Sequence, residues 1–198
     1  MRKSLDSTET NKERSRAPAY ERVLEAASEL FYREGIRAVG VDAVAEAAGV
    51  TKKTLYEKFG SKDELVVAYL RARDERWRRW LQDFVHARGG SPKERLLATF
   101  DGLGEWMERE NPRGCGFVNA YAELADPAHP AREVVLEQKR WLLGYLTELA
   151  SEAGAEDARG LAETLLMLHE GATVTNSLGV VIGSAERSKQ AAALVTNL

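Results

Sequence analysis

Gly49 stands between two short apolar-patterned runs and leaves them little room to be anything but two helices joined by a tight turn. Before it, Val41, Val44, Ala45 and Ala48 recur three and four residues apart, the spacing of one helical face. A glycine just past a helix can adopt the left-handed conformation that closes the last turn. Thr51 then offers a hydroxyl that caps a second helix. In that helix Leu55 and Phe59 lie four apart and point inward, which leaves Lys52, Lys53, Thr54, Tyr56 and Lys58 for the exposed sides. A helix with an apolar back and a cationic, hydrogen-bonding front fits a B-DNA major groove about 12 Å wide, where lysines reach guanine acceptors or phosphates and a tyrosine a phosphate. A solvated surface helix carrying three lysines shows the same spacing, so spacing alone does not separate the two.

The remainder of the chain is helical in pattern. From Tyr20 to Glu34, Val23, Leu24, Ala27, Leu30 and Phe31 form an amphipathic stripe stopped by Gly35. Ser61 with Glu64 opens a helix expected to run from Lys62 to about Ala87, and Gly89-Gly90 breaks it. Ser91 with Glu94 forms a second capping box, for a helix ending near Arg109. Further helices are expected over Cys115 to Leu124, Pro130 to Ala153, Glu156 to Leu178 and Ser184 to Thr196. No alternating strand pattern with turn chemistry appears, and Val180-Val181-Ile182 is too short and glycine-bounded to build a sheet. The fold class expected is all-α. Residues 1–17 are polar and mixed in charge, and are expected to be a disordered arm in which Lys12, Arg14 and Arg16 either follow DNA or have no role.

A net charge of −3 would argue against a nucleic-acid partner if it were evenly spread. It is not: residues 1–62 hold 12 Lys and Arg against 10 Asp and Glu, and the rest 16 against 21. DNA affinity would therefore come from a local patch and from presenting two copies of it. A hydrophobic content of 44% supplies a core. The start lacks a signal-peptide apolar stretch and no run reaches the ~20 residues needed to span a bilayer, so a cytoplasmic location is expected.

Enzyme constellations are missing: there is no G-x-S-x-G elbow or phosphate-cradling glycine loop, and His169-Glu170 is followed by Gly-Ala-Thr instead of a second histidine. His86, His129 and His169 share no metal-ligand spacing, and no cofactor is expected. His169 lies on an apolar face, where its polar ring needs a partner from the protein or from a ligand. Cys115 reads as a small core residue or as a redox sensor.

The run A-x-x-A-G-V-T-x-x-T-L-Y-x-x-F-x-S-K from Ala45 to Lys62, preceded by Glu34-Gly35-Ile36, resembles the DNA-binding domain of the TetR family of transcriptional regulators. The resemblance implies an N-terminal three-helix helix-turn-helix domain over residues 18–62. It also implies a C-terminal helical effector-binding and dimerisation domain over residues 63–198. Expected DNA contacts are Thr51, Lys52, Lys53, Thr54, Tyr56, Lys58 and Lys62. The implied effector cavity would be lined by Trp80, Phe84, Phe100, Met107, Phe117, Tyr121, Trp141, Tyr145 and His169, and would take a small apolar or aromatic molecule. Subunits would pair through the last two helices, where Gly171, Ala172, Ala191, Ala192 and Ala193 permit close approach. The expected function is a homodimeric, ligand-responsive repressor on a palindromic DNA operator. The alternative is an all-helical enzyme or ligand carrier with a helix-turn-helix lookalike. Gly40 stands where the family often has Ser or Thr, and Lys53 and Lys58 also depart from its usual residues, so no base preference carries over.

Overall fold

Apolar residues at helical spacing, punctuated by Gly and Pro, become helices throughout residues 18–196, the part of the chain that the computed structural model describes. In chain order these are α1 (Ala19–Glu34), α2 (Val41–Ala47), α3 (Lys52–Phe59), α4 (Lys62–Arg88), α5 (Pro92–Glu110), α6 (Gly116–Glu123), α7 (Pro130–Glu152), α8 (Ala158–Ser177) and α9 (Ser184–Val195). No strand occurs among the described residues. Lys12, Arg14 and Arg16 of the expected arm lie outside them. The ends follow local chemistry. Ser91 accepts from the Glu94 amide while the Glu94 carboxylate accepts from the Ser91 amide, a complete capping box at the start of α5, and these bonds hold the Glu94 carboxyl below its usual range.

The chain divides into two compact units. The first holds α1 to α3, the start of α4 up to Arg73, and Ala120–Val134. Val23, Ala27 and Phe31 of α1, Val44 of α2, Leu55 and Phe59 of α3, and Leu65 and Tyr69 of α4 are all buried in it. Tyr20 stacks on Phe59 with ring centres 4.6 Å apart, and Phe31 meets Tyr69 edge-on at 5.8 Å, geometries that aromatic quadrupoles favour.

The second unit comprises Asp74–Asn119 and residues 135–196. Its core joins Trp77 and Leu81 of α4, Leu96, Phe100 and Leu103 of α5, Leu142 and Leu146 of α7, Leu165 and Ala172 of α8, and Ala192 of α9. Lys189 of α9 reaches both carboxylate oxygens of Asp101 on α5 at 2.8 Å. The Ser184 hydroxyl donates to the Ala172 carbonyl at 2.9 Å, tying the start of α9 to α8. The five small residues expected at the subunit contact are not placed alike. Ala172 and Ala192 are buried in the core of their own chain, so neither sits on an outer face. Gly171 and Ala193 are exposed and Ala191 is half-buried, and the outward surface of α8, α9 and their connection also carries larger apolar groups: Met167, Leu178, Val180, Ile182 and Leu194 are exposed, Ile182 at 91%.

Candidate nucleic-acid interface

The first unit builds a helix-turn-helix from the residues that the sequence singles out. Gly40 caps α2 in an extended conformation without a side-chain bond. Gly49 adopts φ +62° in the turn, a left-handed conformation that costs an L side chain roughly 1–3 kcal/mol. The Thr51 hydroxyl then accepts from the Thr54 amide at 3.1 Å and starts α3. Leu55 and Phe59 are buried, which holds one side of α3 against the unit and turns the other to solvent.

The seven expected DNA contacts differ in their freedom. Lys53, Tyr56 and Lys58 are exposed, Lys53 lying only loosely over Glu57 at 3.9 Å. Lys52 is engaged: its ammonium sits 3.0 Å from the Asp42 carboxylate on α2, whose hydrogen bond and charge raise its pKa. Thr51 and Thr54 share a hydroxyl contact at 2.9 Å. Lys62 is directed inward, donating to the Ile36 carbonyl at 2.6 Å with its ammonium 5.9 Å from the Phe31 ring centre. In the first turn of α4 a lysine opposes the helix dipole, and the Ile36 carbonyl supplies a compensating partner.

Two supports of the motif escaped the sequence. Gly35 adopts φ +98°, and the space beside it is filled by Glu123, whose carboxylate oxygen lies 3.0 Å from where a Cβ would stand. That carboxylate accepts from the Arg37 amide at 2.9 Å, stapling the end of α6 to the turn after α1. His129 Nε2 lies 3.3 Å from Asp63 at the start of α4. These pairings join residues far apart in sequence, and no local pattern announces them.

The expected effector-lining residues fall mainly in the second unit. Phe100 packs on His169 with centres 4.8 Å apart, Trp80 on Phe84 at 5.6 Å, and Trp141 stacks on Tyr145 at 5.5 Å. Met107 and Phe117 are buried. Tyr121 belongs to the first unit, 41% exposed beneath the Arg132 guanidinium at 4.0 Å. The partner that His169 needs is the Thr99 carbonyl, to which Nε2–H donates at 3.3 Å. Burial pushes its pKa down to about 4 despite that bond, with Lys139 adding to the effect, so the ring is neutral at physiological pH. Cys115 is half-buried beside Lys139, whose ammonium lies 3.6 Å from the sulfur and 2.6 Å from Glu170. Although burial opposes its charge, those two neighbours hold Lys139 above its ordinary pKa. Among the described residues no group of His, Cys, Asp and Glu is placed to hold a metal ion, and no helix is long and apolar enough to cross a membrane.

Comparison with known proteins agrees with this architecture in both units. Residues 23–69 match the family model of bacterial regulatory proteins of the tetR family, and residues 92–191 that of the tetracyclin repressor-like C-terminal domain. The crystal structure of SCO4454, a TetR-family transcriptional regulator from Streptomyces coelicolor, is 32% identical in sequence, with a TM-score of 0.82 over 90% of this chain and 94% of that one. The HTH-type transcriptional regulator YjdC of Escherichia coli is 24% identical over 76% of this chain and 79% of its own length. The HTH-type transcriptional repressor NemR of Escherichia coli is 25% identical over 69% of each chain. With a three-helix DNA-binding unit, an exposed cationic α3 and family matches across both units, the chain belongs to the TetR family of transcriptional regulators.

Proposed function

We propose that this regulator is a homodimeric repressor, holding a palindromic operator with two copies of α3 and releasing it when a small effector enters the second unit. The observation that carries the reading is the free face of α3, where Lys53, Tyr56 and Lys58 are exposed while Leu55 and Phe59 are buried. One short recognition helix reads only a few base pairs, so useful specificity requires two copies about one helical turn or a small multiple apart. The exposed apolar side chains of α8, α9 and their connection supply a self-complementary surface for pairing. The likeness to NemR, a repressor, over 69% of each chain is what supports repression.

The effector reading rests on the aromatic groups of the second unit, the usual lining of a small-molecule site. Because α4 is one uninterrupted helix from Lys62 to Arg88, a ligand pressing on its later turns alters the bearing of the motif at its start. Coupling of this kind is typically about 1–3 kcal/mol, a factor of roughly 5 to 150 in DNA affinity, and requires the ligand to prefer the non-binding state. Capture of genomic fragments by the full-length protein tests the operator: the expected result is enrichment of a palindrome, and persistent absence of any enriched sequence overturns the reading.

A further inference from the structure

Two polar atoms in the second unit are buried without a hydrogen-bond partner among the described residues: the indole Nε1–H of Trp77 and the side-chain amide oxygen of Gln138. Trp77 is 5% exposed and Gln138 2%. An orphaned buried group of this kind costs the fold roughly the full desolvation of that group, which is why such groups are rare and call for an explanation. These two are complementary in kind, a donor and an acceptor.

Both stand on faces that look into the same core. Trp77 meets Trp106 edge-on at 5.2 Å and His169 at 6.4 Å. Gln138 lies one turn before Leu142 on the buried stripe of α7, and Leu142 belongs to the same apolar cluster as Trp77. The contrast with nearby polar groups is informative. Trp80 Nε1 is 3.4 Å from the Gly102 carbonyl, and His169 Nε2 is bonded to Thr99. Those two ring nitrogens have a carbonyl partner, whereas among the described residues Trp77 Nε1 and the Gln138 amide oxygen have none.

We propose that Trp77 and Gln138 form the polar subsite of the effector site, selecting a neutral aromatic molecule that carries a hydrogen-bond acceptor for the indole N–H and an N–H or O–H donor for the glutamine oxygen. A carboxamide or lactam has both in one group. The proposal rests on the effector reading above and narrows its chemistry from merely apolar to aromatic with a matched donor and acceptor. Charge also argues for neutrality: the Lys139 ammonium is already matched by Glu170 at 2.6 Å, and the buried His169 resists protonation. An ionised ligand would meet no free counter-charge in either group and would bear the cost of its own desolvation.

The test uses matched probes on the full-length protein, by calorimetry and by release of bound operator DNA. Benzamide, 2-naphthamide and biphenyl-4-carboxamide are compared with the isopropyl compounds on the same rings, which keep the shape and lose both hydrogen-bonding functions. The carboxamide of at least one ring size is expected to bind at least as tightly as its isopropyl partner. In Gln138→Leu that preference should fall by about tenfold, in line with the loss of a buried hydrogen bond that leaves the ligand's donor unpaired, while isopropyl binding persists. Trp77→Phe should weaken the carboxamide again relative to the hydrocarbon. Gln138→Leu should also melt no lower than the parent, since it removes an unpaired polar atom, which guards against a folding failure. If isopropyl members bind and carboxamides bind more weakly in the parent protein, or if the ratio is unchanged in Gln138→Leu, the subsite is overturned while the effector reading survives. Absence of binding by every probe on every ring overturns both.

Discussion

Lys52 and Lys58 both project from the motif, yet their surroundings predict different behaviour on substitution. Lys58→Ala and Tyr56→Phe should weaken binding to all sequences alike, the lysine change reducing the salt dependence by about one unit as one phosphate contact is lost. Lys53→Ala should instead blur base preference, at about 1–3 kcal/mol per lost pairing. Asp42→Asn releases Lys52 and removes a negative charge from the groove side, so nonspecific affinity should rise and the salt slope steepen, read by fluorescence anisotropy across a salt series. Retained affinity in both Lys58→Ala and Tyr56→Phe would show that α3 does not enter the groove. His169 carries a separate, pH-dependent expectation. Its folded pKa of about 4 lies below the unfolded value near 6.5, so the unfolded chain binds the extra proton in that window. The stability tied to neutral His169 is complete above pH 6.5 and is lost as pH falls toward 4, by ~3 kcal/mol from the shift. Urea unfolding of the parent against His169→Leu at pH 7 and pH 4.5 isolates it: the variant should lose less stability over that interval.

At the scale of elements, the sequence was a good guide wherever a helix end is made locally. Ser91 with Glu94, Thr51 and Gly49 act within a few residues of themselves, and the observed helices begin and end within about two residues of the expected positions. Gly49→Ala should lower stability by about 1–3 kcal/mol through its left-handed backbone, seen as a drop in the melting temperature with little change in far-ultraviolet dichroism. What stayed hidden depends on how distant elements cross. Glu123 caps the Arg37 amide from 86 positions away, Lys62 turns inward to the Ile36 carbonyl, and Lys139 joins Cys115 to Glu170. Each is a surface-type residue whose partner is not three or four positions along its own helix, so periodicity carries no trace of the pairing. The same reason explains the alanines of the last helices: small size signals close packing, but Ala172 and Ala192 use it within their own chain.

Across the whole molecule, the proposal of pairing rests on side chains too large and too apolar to be left in water. Leu178→Asp together with Ile182→Asp should yield a monomer by sedimentation at micromolar concentration, with helical content intact and operator affinity reduced by orders of magnitude because the second recognition helix is no longer held in register. A parent protein that sediments as a monomer while still binding its operator tightly would rule the pairing out. On the proposed pairing, the exposed strip would also tie the protein's survival to its own abundance. Leu178 and Ile182 are exposed in the single chain; were they covered by the proposed pairing, mass action would raise the melting temperature as concentration rises. Newly made copies at low concentration would then spend longer with that surface bare, open to proteases and to aggregation. A regulator present at few copies per cell would then have a steady-state level falling more steeply than its synthesis rate, so that halving expression removes more than half of the bound operators.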